Sequence, residues 1–172
     1  PLAITVISKQ LKKHKQEYAW RDALVQLQKS SVTSSIKGMQ DLVYSRIKWS
    51  YDYLEDVQFK DLLLLCSLFP EDHEIWLEDL VRYGKGLQLF QDVETMAGAR
   101  DRVRTIIDEL KSCNLLLEGR WSGVVKLHDV VRDVCLKIAS SGKHFFMVNH
   151  VGLKEWPQRD SYATLTCISL SF

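Results

Sequence analysis

His128 and Asp129 stand where one apolar run, Val124-Val125-Lys126-Leu127, gives way to another. Val124 and Val125 are β-branched and favour extended backbone. Asp129 is expected to cap a helix, its carboxylate accepting from amides that the first turn leaves unpaired. Val130, Val131, Val134, Leu136, Ile138 and Ala139 then supply an apolar face, and Gly142 is a natural stop. The imidazole of His128 therefore sits at a strand-to-helix junction, aimed by rigid elements on both sides. Capping accounts for Asp129 fully, so its role is orienting only. Taken by itself, a histidine at a strand end is more often structural than functional.

Other chemistries are poorly served. No Gly-x-x-x-x-Gly-Lys-Ser/Thr run is present, and Gly84-Lys85-Gly86 and Gly142-Lys143-His144 lack the hydroxyl residue and glycine spacing of a phosphate cradle. The chain alone is expected to hydrolyse no nucleotide and not to be an enzyme. His14, His73, His144 and His150 show no metal-ligand spacing and read as surface or loop residues. Glu71, Asp72, Glu74, Glu78 and Asp79 lack the alternation and bending glycine of a calcium loop, so a solvated face is expected. Cys66, Cys113, Cys135 and Cys167 lie far apart in apolar patterns, as buried reduced thiols of an intracellular protein do.

The elements that must hold His128 are mainly α-helical. A small helical domain is expected over 1–56, with apolar faces through Leu2, Ala3, Val6 and Ile7, through Trp20, Ala23, Leu24 and Leu27, and through Leu42, Val43, Ile47 and Leu54. Lys9, Lys12, Lys13 and Lys15 form its one basic cluster, and a polar connection runs from Ser30 to Gly38. A winged-helix domain is expected over 57–148. Its first helix, through Phe59, Leu62, Leu63, Cys66 and Phe69, stops at Pro70. Ile75-Trp76-Leu77 leads into a short helix, and a long one runs from Met96 to Leu110 with Asn114 as a left-handed end. Leu115 to Glu118 and Val124 to Leu127 flank a glycine-bounded loop and read as one β-hairpin. Phe145 to Val148 reads as a further strand or a connector, and Thr164 to Phe172 alternates as a strand does.

Composition sets limits on partners. The 172 residues carry a formal net charge of +1 and are 46% hydrophobic, enough for one good core or two small ones and no general pull toward nucleic acid or anionic lipid. On the long helix Arg100, Arg102, Arg104 and Lys111 are offset by Glu94, Asp101, Asp108 and Glu109, which argues against specific DNA binding. Leu62 to Phe69 is apolar but too short to span a bilayer. The N-terminus shows no signal peptide and begins with Pro1 rather than Met, so a piece of a longer cytoplasmic chain is expected.

Several segments, in order, resemble the plant nucleotide-binding leucine-rich-repeat (NB-ARC) disease resistance proteins. Pro1-Leu2-Ala3-Ile4 is similar to the end of that family's GLPLAI block, and Leu65-Cys66-Ser67-Leu68-Phe69-Pro70-Glu71-Asp72 contains its CSLFPED block. Leu127-His128-Asp129 resembles its MHD segment, with Leu127 for the usual Met. Trp20, Ala23, Leu24 and Leu27, then Ile47, Ser50, Tyr51 and Leu54, fall where the family carries similar residues. The resemblance implies that 1–56 and 57–148 are the ARC1-like and ARC2-like parts, and that 149–172 leads to the first strand of a leucine-rich repeat. It further implies a site for ADP/ATP shared with a separate phosphate-loop domain, His128 contacting the terminal phosphate of ADP and Pro1 packing on the adenine. A charge-assisted bond of this kind contributes roughly 1.5–3 kcal/mol. Since ~1.4 kcal/mol is a decade in an equilibrium, one such bond can bias a domain closure. The partners implied are the rest of the receptor chain and, in the active state, an oligomer. A DNA-binding winged-helix regulator and a nucleotide-independent protein scaffold are the alternatives.

Overall fold

In the computed structural model, residues 5, 8, 16–29, 36–141, 145–148 and 167–170 are described. Pro1, the basic run from Lys9 to Lys15 and the Trp156-Pro157 break lie outside them. The protein is mainly helical with a small antiparallel sheet, as its patterning predicts.

Helix α1 covers Glu17–Lys29 and leaves Tyr18, Trp20, Leu24 and Val25 exposed. Helix α2, Ile36–Asp52, starts earlier than expected and takes Gly38 into its first turn. It buries Ile47 and Ser50. Helix α3, Val57–Ser67, starts where the Asp56 carboxylate accepts from the Gln58 amide at 2.9 Å. Six consecutive residues, Leu62 to Ser67, are buried, so this helix is surrounded rather than amphipathic. Its end is set by Pro70, which cannot continue the ladder.

Strand β1 (Ile75–Trp76) leads into helix α4 (Leu77–Gly86), and helix α5 (Met96–Ser112) follows behind its Thr95 cap. Asn114 takes φ of 56°, the left-handed ending expected there. Strands β2 (Leu117–Glu118) and β3 (Val124–Lys126) form the hairpin. Gly123 has φ of 80°, which suits glycine in the turn. A feature beyond the expected hairpin is β1, which completes a three-stranded antiparallel sheet of order β1-β3-β2, with Ile75 opposite Val125. Two residues are too few to show a period, so alternation in sequence does not reveal this strand.

Helix α6 (Asp129–Ser141) closes the unit by packing on both α2 and α3. The core is continuous across residue 56: Ile47 and Leu54 share it with Leu62, Leu80, Phe90, Ile106, Leu110, Leu127 and Val131. Beyond α6, strands β4 (Phe145–Val148) and β5 (Cys167–Leu170) pair in parallel at a constant offset, Phe145 opposite Cys167 and Val148 opposite Leu170. That pairing joins the two stretches that the sequence places on either side of residue 149.

Candidate functional site

The end of β3 delivers Leu127 into the core, where it is 6% exposed, and His128 follows half-buried at the surface. The His128 carbonyl accepts from the Arg132 amide at 2.9 Å, the first i→i+4 bond of α6. His128 is therefore the cap, one residue before the position expected from Asp129. Asp129 is the first helical residue, exposed, with its charge at the positive end of the helix. The local reason is that the imidazole does the capping: its Nδ1 accepts from the Val130 amide at 3.3 Å. A neutral imidazole with Nδ1 accepting carries its proton on Nε2. The ring thus presents one N–H donor, which fits a phosphate oxygen as its acceptor. It is a single donor and not a cradle. Pro1, the other residue expected at the nucleotide, lies outside the described residues.

The same junction is tied to the turn after α3. Arg132 is only 6% exposed, and its Nε donates to the Phe69 carbonyl at 2.8 Å. On the strand side, Lys126 Nζ lies 3.1 Å from the Asp72 carboxylate. Phe69 stacks on His73 with ring centroids 5.3 Å apart. The sequence patterning assigns Arg132 no role. The available signal is its spacing of four from His128, which puts both on one side of α6.

The acidic stretch does not converge. Asp72 meets Lys126, Glu74 accepts from the Arg120 amide at 3.1 Å, and Glu78 meets Arg100 at 2.7 Å. The hydrogen bond from Arg100 holds the Glu78 carboxyl below its ordinary range. Among the described residues no group of three His, Cys, Asp or Glu is placed to hold a metal. On α5 each cation faces a carboxylate: Arg100 with Glu78, Arg102 with Asp56 at 2.8 Å, Arg104 with Asp101, Lys111 with Glu118 at 2.6 Å. A groove of about 490 Å³ runs between α5, the start of α4 and the hairpin; Trp76, Arg104, Lys111 and Glu118 line it, and His128 does not. Cys66, Cys113 and Cys135 are buried, reduced thiols. Burial raises the Cys66 thiol well above its ordinary range and pushes Cys135 up to about 12, which disfavours the thiolate form that nucleophilic chemistry uses. No helix among the described residues is long and apolar enough to cross a membrane.

No family model matches the chain. Across 99% of its residues it is 35% identical to the disease resistance protein RPS5 and 34% identical to the disease resistance protein SUMM2, both of Arabidopsis thaliana. The disease resistance protein RFL1 of the same plant is 33% identical over the same share. The aligned region is 20%, 19% and 19% of those three proteins, so the chain spans about a fifth of the length of the curated relatives it matches.

Proposed function

Because this chain belongs to the plant disease resistance proteins of the NB-ARC type, we propose that it forms the helical and winged-helix part of an ADP/ATP-dependent switch in an intracellular immune receptor. The observation that supports this reading is the state of His128, whose Nδ1 is engaged by the Val130 amide while Nε2 is left as a donor at the surface. Bound ADP would supply the negatively charged terminal phosphate. Nε2–H of His128 would donate to that phosphate and hold the winged-helix part against the phosphate-loop part of the receptor.

Differential binding is what makes this a switch. If the His128 contact forms with ADP and loosens with ATP, the two nucleotides stabilise different arrangements, and their exchange shifts the population. Loosening frees the winged-helix part to move, and oligomerisation and defence signalling follow in the cytoplasm. The chain itself would bind and orient, and would carry out no hydrolysis.

His128→Ala in the receptor is expected to weaken ADP retention by about tenfold or more, the equivalent of ~1.4 kcal/mol, and to favour the active state. Nucleotide content of the purified receptor is the readout. A variant that retains ADP normally and stays silent would remove the phosphate contact. The DNA-binding alternative predicts a mobility shift that weakens with salt; the paired cations of α5 lead us to expect none even at low salt.

A further inference from the structure

A single turn of chain, Phe69 to Asp72, reaches both flanks of the His128 junction. Asp72 holds Lys126, two residues before the imidazole, and the Phe69 carbonyl holds Arg132, one helical turn after it. The two attachments differ in weight. The Asp72 side chain is 77% exposed, so its ion pair is screened by water. Arg132 is 6% exposed, and a buried guanidinium that gives up a hydrogen bond has no solvent to replace it. From Arg132 the connection runs directly to the ring: its amide donates to the His128 carbonyl at 2.9 Å, and the same first turn supplies the Val130 amide that binds Nδ1 at 3.3 Å. Phe69 in turn stacks on the His73 ring and makes a tilted contact with that of Tyr83.

We infer that Arg132 is a positioning residue for His128: through the Phe69 carbonyl it fixes the first turn of α6 against the end of α3, and so keeps the imidazole in the tautomer and direction that present Nε2–H. The turn containing Pro70 is then the lever through which a displacement of α3 reaches the imidazole. This deepens the phosphate-contact reading and rests on it for its function, but the positioning itself can be tested without nucleotide.

The test is nitrogen NMR of the histidine rings in the 172-residue chain at a pH where His128 is neutral. The unaltered chain should show His128 with distinct Nδ1 and Nε2 signals of the Nε2–H tautomer; averaged signals there overturn the proposal before any variant is made. Arg132→Gln should collapse the two signals toward an average while helix content is kept, and Arg132→Lys should restore most of the separation. If the glutamine variant does not fold, Arg132→Met, matched in volume, replaces it. A folded variant of either kind with unchanged ring signals overturns the proposal. In the receptor, Arg132→Gln should lower ADP retention in the same direction as His128→Ala, and the double variant should lose no more than His128→Ala alone. Additive losses would mean that Arg132 acts elsewhere. Normal ADP retention in His128→Ala, with the tautomer effect intact, would instead fail the phosphate contact and leave the positioning standing.

Discussion

His128 carries two duties that substitution can separate. As a cap it accepts from Val130; as a donor it presents Nε2–H. Asparagine is a competent cap, whereas alanine is not, so His128→Ala should lower stability by ~1 kcal/mol and His128→Asn by less. Thermal midpoints of the two variants check this, and equal losses would show that the cap contributes nothing. The buried thiols give a second prediction at this scale. The folded Cys135 value, about 12, lies above the ordinary 9.0, and Cys66 is raised as well. Stability from keeping these thiols neutral is complete below pH 9.0, the unfolded value, and is lost as pH climbs toward about 12. Denaturant midpoints should therefore fall across that window, and Cys135→Ala should make the fall shallower. Below it, a thiol reagent should modify neither residue until the chain unfolds.

Helices are kept in place by contacts that leave little room. A methyl group at Gly84 of α4 would come within 2.5 Å of the Phe90 ring, and Phe90 is 2% exposed and cannot swing aside. Gly84→Ala is expected to cost roughly 1–3 kcal/mol through overpacking. Leu63→Ala in α3 removes a side chain with no exposure and should cost roughly 2–5 kcal/mol. Urea titration measures both, and a loss below about 0.5 kcal/mol in either would mean that the site relaxes freely. These elements were legible to different degrees. Pro70 and Asn114 mark their helix ends through backbone chemistry that is local, so sequence locates them. Strand β1 is not local: Ile75 and Trp76 are extended because Val125 and Val124 lie opposite to pair with them.

At the scale of the molecule, the two expected parts meet in one core, since Ile47 and Leu54 pack with residues from α3 to α6. Unfolding should accordingly be a single cooperative transition for α2 to α6. Trp49 of α2, stacked on Tyr53 just past the helix end, provides a fluorescence probe of the first part, and helical circular dichroism reports the whole. Coincident curves are expected; an early Trp49 transition would show α2 to be an independent unit. The parallel pair β4–β5 has the offset of a coil whose repeats run about 20–29 residues.

The sequence by itself determined the mainly helical winged-helix class, the order of its blocks and the placing of His128 at a strand-to-helix junction. Each follows from short-range rules: apolar period, proline and glycine punctuation, and the residue types that open a helix. The three-dimensional structure alone decided which histidine nitrogen is left to donate, that His128 rather than Asp129 caps α6, and that Arg132 meets the Phe69 carbonyl. The Arg132 contact depends on packing together segments 63 residues apart in the chain, and the choice of cap on the ring's rotamer at the junction, and a one-dimensional pattern records neither.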